Sequence, residues 1–201
     1  MRSTEEIGER YASIRASVGA GVTVVAATKY VSLEEMGLLA EAGIELVGEN
    51  RAQSLEAKQA RYGEAFRWHF IGHLQSRKAA LVSELCELCH SLASESAARQ
   101  LSIPALVEVN LAGEATKSGI APEQLEDFLG FCAEVGVEVR GLMTMPPLSA
   151  DPEASRPYFR RLRELAEQYK LSQLSMGTSQ DYLVAAEEGT TYVRVGSVLW
   201  S

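Results

Sequence analysis

The residue whose setting most invites chemistry is Lys29, which ends the run VTVVAATK. An apolar, β-branched run closing on a lysine puts a primary amine at a strand terminus, and lysine is rarely kept near a core without a task. At the rim of a low-dielectric interior the ammonium is disfavoured, which favours the amine, a nucleophile toward aldehydes and ketones. On Lys29 alone a second reading stays open, a strand-end lysine whose head reaches water. Farther on, Ser175-Met176-Gly177-Thr178-Ser179 supplies small residues and hydroxyls before an expected helix, whose N-terminus attracts anions. Gly196-Ser197 offers a second small-residue turn one strand later. Either alone reads more simply as a turn; together, at consecutive strand ends, they favour a phosphate. Strand alternation puts Tyr192, Arg194 and Gly196 on one face, so a permanently charged guanidinium would approach the same ligand. The bland alternative for Arg194 is an ion pair with a glutamate such as Glu49. A Schiff-base lysine, a phosphate site and an arginine that can donate to a ring nitrogen together suggest pyridoxal 5′-phosphate.

These residues need a frame that brings strand ends together. Strand patterns fall at Val22–Lys29, Glu45–Asn50, Arg67–Gly72, Leu88–Ser94, Pro104–Leu111, Val139–Pro146, Gln173–Gly177 and Tyr192–Ser197. Helical patterns fall between them at Ser32–Ala42, Arg51–Tyr62, Ser76–Leu85, Glu95–Leu101, Pro122–Val135, Ala154–Tyr169 and Gln180–Glu188, with Thr4–Val18 ahead of the first strand. Gly43, Gly63, Gly136 and Gly189 stand where left-handed residues would stop helices, and Ser32 and Pro122 where helices would start. Eight strands alternating with helices imply parallel pairing through right-handed crossovers, and closure of the ring gives an α/β fold, the (β/α)8 TIM barrel. An open doubly wound sheet is the rival, but no G-x-G-x-x-G follows the first strand. Barrel active sites lie at the carboxyl ends of the strands, where the polar residues are Lys29, Glu49, Asn50, Asn110, Thr178 and Ser179, with His69 and Arg194 inside strands three and eight.

Composition narrows the function classes. The chain has 201 residues, which predicts one domain spanning all of them. Nineteen Lys plus Arg against 27 Asp plus Glu give a net charge of −8, a poor match to the many phosphates of a nucleic acid. No apolar run approaches the roughly 20 residues a membrane span needs, and the acidic start MRSTEEIGERY is unlike a secretory signal. Three cysteines make no disulfide framework, and the reading is a cytoplasmic protein. Cys86-Glu87-Leu88-Cys89 is a lone C-x-x-C with too few ligands for zinc, so its cysteines read as buried apolar residues. The arginine-rich run Pro157–Arg163 and Glu187-Glu188 read as solvated helix surface.

Seven motifs then line up in order: ATKYVS around Lys29, GEN at Gly48–Asn50, WHFIGHLQSRK at Trp68–Lys78, EVNLAGEATKSG at Glu108–Gly119, GLMTMPP at Gly141–Pro147, LSMGTSQD at Leu174–Asp181 and VRVGS at Val193–Ser197. With them the chain resembles the pyridoxal phosphate homeostasis proteins, the YggS-like or PROSC-like group, over nearly its whole length. The resemblance implies a fold-type III pyridoxal phosphate protein, like the barrel domain of alanine racemase. It implies Lys29 carrying the cofactor as an internal aldimine, with Asn50, His69 and Met143 near the ring. It assigns Ser175, Gly177, Gly196 and Ser197 to the phosphate, and Arg194 to the pyridine nitrogen. Ser197 stands where threonine is common and keeps the hydroxyl. The chain stops at VLWS where family members often continue, and the Ser94–Pro104 span and the stretch before strand one are short, which touches peripheral helices only.

An arginine at the ring nitrogen leaves that nitrogen unprotonated and the ring a weak electron sink. The second base of alanine racemase comes from another domain, for which a barrel filling 201 residues leaves no room. The family's description as a non-catalytic store that passes pyridoxal phosphate on by transimination therefore fits better than an amino-acid racemase or a cofactor-free lysine aldolase. Apo-enzymes that use the cofactor are the expected recipients, and Lys117 in the ATKSG loop is a candidate relay for the aldehyde.

Overall fold

Each apolar run of the sequence became a strand of four to six residues, and each strand pairs in parallel with the next. The computed structural model describes residues 3–114 and 118–200; Lys117 lies outside the described residues. The strands are β1 (Thr23–Ala27), β2 (Leu46–Glu49), β3 (Arg67–Phe70), β4 (Leu88–Leu92), β5 (Ala105–Glu108), β6 (Val139–Met143), β7 (Gln173–Thr178) and β8 (Tyr192–Val195). They form a closed barrel in sequence order, sealed where Thr23, Val24, Val25 and Ala26 of β1 pair with Tyr192, Val193, Arg194 and Val195 of β8. Closure excludes the open-sheet rival.

The helices are α1 (Thr4–Val18), α2 (Met36–Glu41), α3 (Ala52–Tyr62), α4 (Ala79–Leu85), α5 (Glu95–Ala98), α6 (Leu125–Glu134), α7 (Arg156–Gln168), α8 (Tyr182–Glu187) and α9 (Ser197–Trp200). α1 starts on a capping box, in which the Ser3 hydroxyl accepts from the Glu6 N–H and the Glu6 carboxylate accepts from the Ser3 N–H. α7 buries Phe159, Leu162, Leu165 and Ala166 at helical spacing and turns its arginines the other way. Two local expectations were off. Gly63 keeps right-handed dihedrals and opens a short 3-10 turn, Gly63–Ala65, instead of ending α3 left-handed. Ser32 and Glu35 do bond reciprocally, but the regular helix begins only at Met36.

Strand alternation divides the core. Outward residues such as Val24, Ala26, Val47, Val107 and Leu142 join one large cluster with the helices. Inward residues Leu88, Leu106 and Met143, with Tyr192 packed on them, form a small separate cluster inside the ring. Beside this cluster the interior turns polar with His69, His90, Glu108, Ser175 and Arg194, all buried. No helix among the described residues is long and apolar enough to cross a membrane.

The α7 and α8 surface differs from expectation. Glu188 is buried, and it receives Arg156 Nη1 at 3.1 Å, Arg160 Nη2 at 3.0 Å and Arg163 Nη1 at 3.3 Å. Arg160, then burial working against it, then Arg156 set its carboxyl below the usual range. The arginine run and Glu188 therefore clamp α7 to α8 rather than merely facing water.

Candidate functional site

Lys29 follows β1 at the barrel's carboxyl end and is exposed, its Nζ 5.1 Å from the Tyr30 ring centroid. The dry setting expected from the strand pattern is not where this side chain sits. What the fold does supply is a brace immediately behind it. Lys58 of α3 is buried and donates from Nζ to the Thr28 carbonyl at 2.7 Å and to Glu49 Oε2 at 2.6 Å. The Thr28 hydroxyl donates to the same Glu49 oxygen at 3.0 Å, and Glu49 Oε1 accepts the Asn50 N–H at 2.8 Å. One ion pair thus fixes the ends of β1 and β2, and with them Lys29 and Asn50. Glu49 points toward the helices, so the ion pair with Arg194 weighed from sequence does not form. Asn50 leaves its Oδ1 buried with no partner among the described residues.

Arg194 lies inside the barrel on β8, opposite Val25 of β1. Its Nη1 donates to the Ser175 hydroxyl, and Nη2 reaches the Thr144 carbonyl at 3.2 Å and Met145 Sδ at 2.9 Å. Burial lowers its pKa to about 10, which still leaves it cationic at neutral pH. Ser175 Oγ also meets His90 Nδ1 at 2.7 Å, and His90 Nε2 meets His69 Nδ1 at 2.9 Å. Burial holds His69 down at about 4 and pushes His90 in the same direction. Glu108, whose pKa burial raises, accepts from the Ser118 hydroxyl at 2.7 Å. Met143, paired in register with Glu108 and Ser175, belongs to the inner apolar cluster.

The loop after β7 is held by Asp181. Its Oδ1 accepts the Thr178 N–H at 2.7 Å and the Thr178 hydroxyl at 3.0 Å, while Oδ2 accepts the Ser155 hydroxyl at 2.7 Å. Ser179 Oγ accepts the Gly196 N–H at 2.9 Å, which ties this loop to the turn after β8. Asn110 instead secures its own loop, donating to the Glu114 carbonyl at 3.0 Å. Gly177 has φ +90°, and a Cβ there would stand 2.5 Å from the Ala185 Cβ and 3.0 Å from the Tyr182 Cα. Gly177→Ala is therefore expected to cost about 2–4 kcal/mol, combining the left-handed penalty with overpacking, as read by urea unfolding. A Cβ at Gly196 would meet nothing closer than 3.5 Å. Gly196→Ala should shift stability by no more than about 1 kcal/mol, so it probes the turn after β8 without breaking the fold.

The sequence missed Lys58, His90, Asp181 and Glu108 as contributors. His90 carried a signal, because period-two alternation from the inward Leu88 turns it into the barrel. Lys58 carried none beyond being a lysine on an amphipathic helix. The three cysteines are buried and free, with burial raising Cys89 to about 11, in keeping with the apolar reading.

Comparison with known proteins places this geometry. The family model described as alanine racemase, N-terminal domain, matches residues 3–201. The pyridoxal phosphate homeostasis protein of Aquifex aeolicus is 39% identical over 194 residues, covering 88% of this chain and 85% of its own. That of Deinococcus radiodurans is 36% identical and covers 96% of each chain. The chain belongs to the pyridoxal phosphate homeostasis protein family. Among solved structures, PipY of Synechococcus elongatus, solved with PLP bound, is 32% identical with a TM-score of 0.86, over 97% of this chain and all of PipY (100%). The lysine/ornithine decarboxylase of Vibrio vulnificus, at 14% identity and TM-score 0.75 over 98% of this chain and 62% of its own, shares the fold alone.

Proposed function

We propose that this protein binds pyridoxal 5′-phosphate at the carboxyl end of the barrel, holds it on Lys29 and hands it to other proteins. One observation carries the reading. The fold sets a buried guanidinium on β8, with donors uncommitted among the described residues, beside the neighbouring strands β1 and β2, which are followed by a primary amine at Lys29 and an unpartnered amide oxygen at Asn50. That donor set fits a phosphorylated pyridine aldehyde, the ligand in the PipY structure. When bound, the cofactor supplies an aldehyde that condenses with a primary amine. Lys29 provides that amine at the open mouth, where an incoming amine can displace it by transimination. Arg194 faces the pyridine nitrogen and keeps its own proton, and Asn50, His69 and Met143 line the ring side. Gly177, Gly196 and Ser197 hold the phosphate. Ser175, first grouped with them, has its hydroxyl engaged by Arg194 and His90, so we place it in the support of Arg194. Recipient apo-enzymes meet the exposed mouth, in the cytoplasm, and the whole chain acts as one barrel domain. Lys117 is a second amine for the transfer.

The test is borohydride reduction of protein loaded with pyridoxal phosphate, followed by peptide mass mapping. The adduct is expected on Lys29, and Lys29→Ala should bind little colour. A colourless parent without adduct sinks the reading. Deuterium exchange at the α-carbon of an added amino acid, with interconversion of enantiomers, would replace the carrier by a racemase. Ser197→Ala, which deletes a hydroxyl, should release the cofactor about tenfold more readily, a loss of roughly one charge-assisted hydrogen bond.

A further inference from the structure

We propose that Ser175, His90 and His69 are positioning residues, a one-way hydrogen-bond chain that fixes the guanidinium of Arg194 and decides which of its N–H groups remain for a ligand. The inference deepens the pyridoxal phosphate reading and rests on it for its purpose, while the chain itself stands on geometry alone.

Hydrogen accounting sets the direction. A guanidinium has five donors and no acceptor. Nη1 donates to Ser175 Oγ, and Nη2 uses its hydrogens on the Thr144 carbonyl and Met145 Sδ. Among the described residues, that leaves Nε–H and one Nη1–H uncommitted. Ser175 is fully buried, and its hydroxyl hydrogen finds its acceptor in His90 Nδ1 at 2.7 Å. His90 must then carry its hydrogen on Nε2, donating to His69 Nδ1 at 2.9 Å, and His69 must carry its own on Nε2. Reversing the order would make Ser175 accept from both sides and strand its hydrogen in a dry interior, an expensive arrangement. Tyr192 presses edgewise on both rings, with centroids 5.7 Å from His69 and 5.1 Å from His90, and holds them in line. A charged imidazole has no acceptor nitrogen and would break the chain, and burial keeps both rings neutral. The charged groups that act on this pair are Arg67 and Glu87 on His69 and Arg194 on His90, with Glu108 and Asp181 acting on Arg194.

The chain can be read without cofactor, by long-range 15N–1H NMR of the imidazoles in the whole protein. Both rings are expected as neutral Nε2–H tautomers from about pH 7 to 5, since burial lowers His69 to about 4. A hydrogen on His90 Nδ1, or a charged ring at neutral pH, overturns the proposal. With pyridoxal phosphate added, Ser175→Ala should blur the His90 tautomer, shift the bound cofactor's absorption band and weaken retention about tenfold, the scale of one hydrogen bond to a charged group. His90→Leu should do the same, and His90→Asn, which can present an amide oxygen near the Nδ1 position, should recover most of the loss. Retention and spectrum equal to the parent's in Ser175→Ala and His90→Leu overturn the positioning role alone. A parent that forms no borohydride adduct overturns the cofactor reading instead, and the role of the chain with it.

Discussion

Replacing Lys58 with methionine is expected to lower the unfolding free energy by about 3–5 kcal/mol, the range for removing one partner of a buried ion pair. The cost comes less from the lost attraction than from what stays behind. Glu49 remains buried with its Oε2 facing the space that Nζ occupied at 2.6 Å, and the Thr28 carbonyl loses its donor. Urea unfolding of the parent, Lys58→Met and the double variant Lys58→Met/Glu49→Leu checks the account. The double variant should recover much of the loss, because no uncompensated charge is left. A single variant within about 1 kcal/mol of the parent would mean the pair is solvated and the brace idle. The same variant should slow adduct formation at Lys29, since Thr28 directly precedes it.

Acid should destabilise the protein earlier than its carboxylates alone would. His69 titrates near 6.5 when unfolded, and burial in the barrel lowers it to about 4. Between those values the unfolded chain takes up a proton that the folded chain refuses, so stability rises with pH across the window and falls as pH drops through it. The penalty is absent above about pH 6.5 and complete below about pH 4. At about 1.4 kcal/mol per unit it amounts to on the order of 3 kcal/mol, with His90 adding in the same direction. Glu188, whose carboxyl is lowered, contributes stability that is lost only below the ordinary glutamate range, so its effect falls at more acid pH. Unfolding free energies measured from pH 7.5 to 4.5 should show the slope, and His69→Gln should flatten it. A parent that is flat across this range contradicts a neutral, buried His69.

The barrel was legible because strands and helices leave periodic signatures of different length, and all eight strand patterns and the helices between them appear where the pattern put them. Boundaries drifted where a turn substitutes for helix, as at Ser32–Glu35. Site residues on strands could be read from alternation, which placed Arg194 on the inward face. Residues acting through tertiary contact could not. Lys58 looks like any helical lysine until α3 folds over β2, and Glu188 looks like surface until α7 delivers three arginines to it. His90 was overshadowed by the cysteines beside it, although the spacing from Leu88 already turned it inward.

The seam between β8 and β1 joins residues far apart in the chain, and Arg194 sits on that seam, opposite Val25. On the proposed reading, partly folded species with an open ring lack a complete vitamin-binding surface. By mass action, vitamin that binds only the sealed ring acts as a pharmacological chaperone, adding about 2.7 kcal/mol when present at a hundred times its dissociation constant. Cells short of the vitamin would then hold less of this protein as well as an emptier one, so that its abundance itself reports the supply.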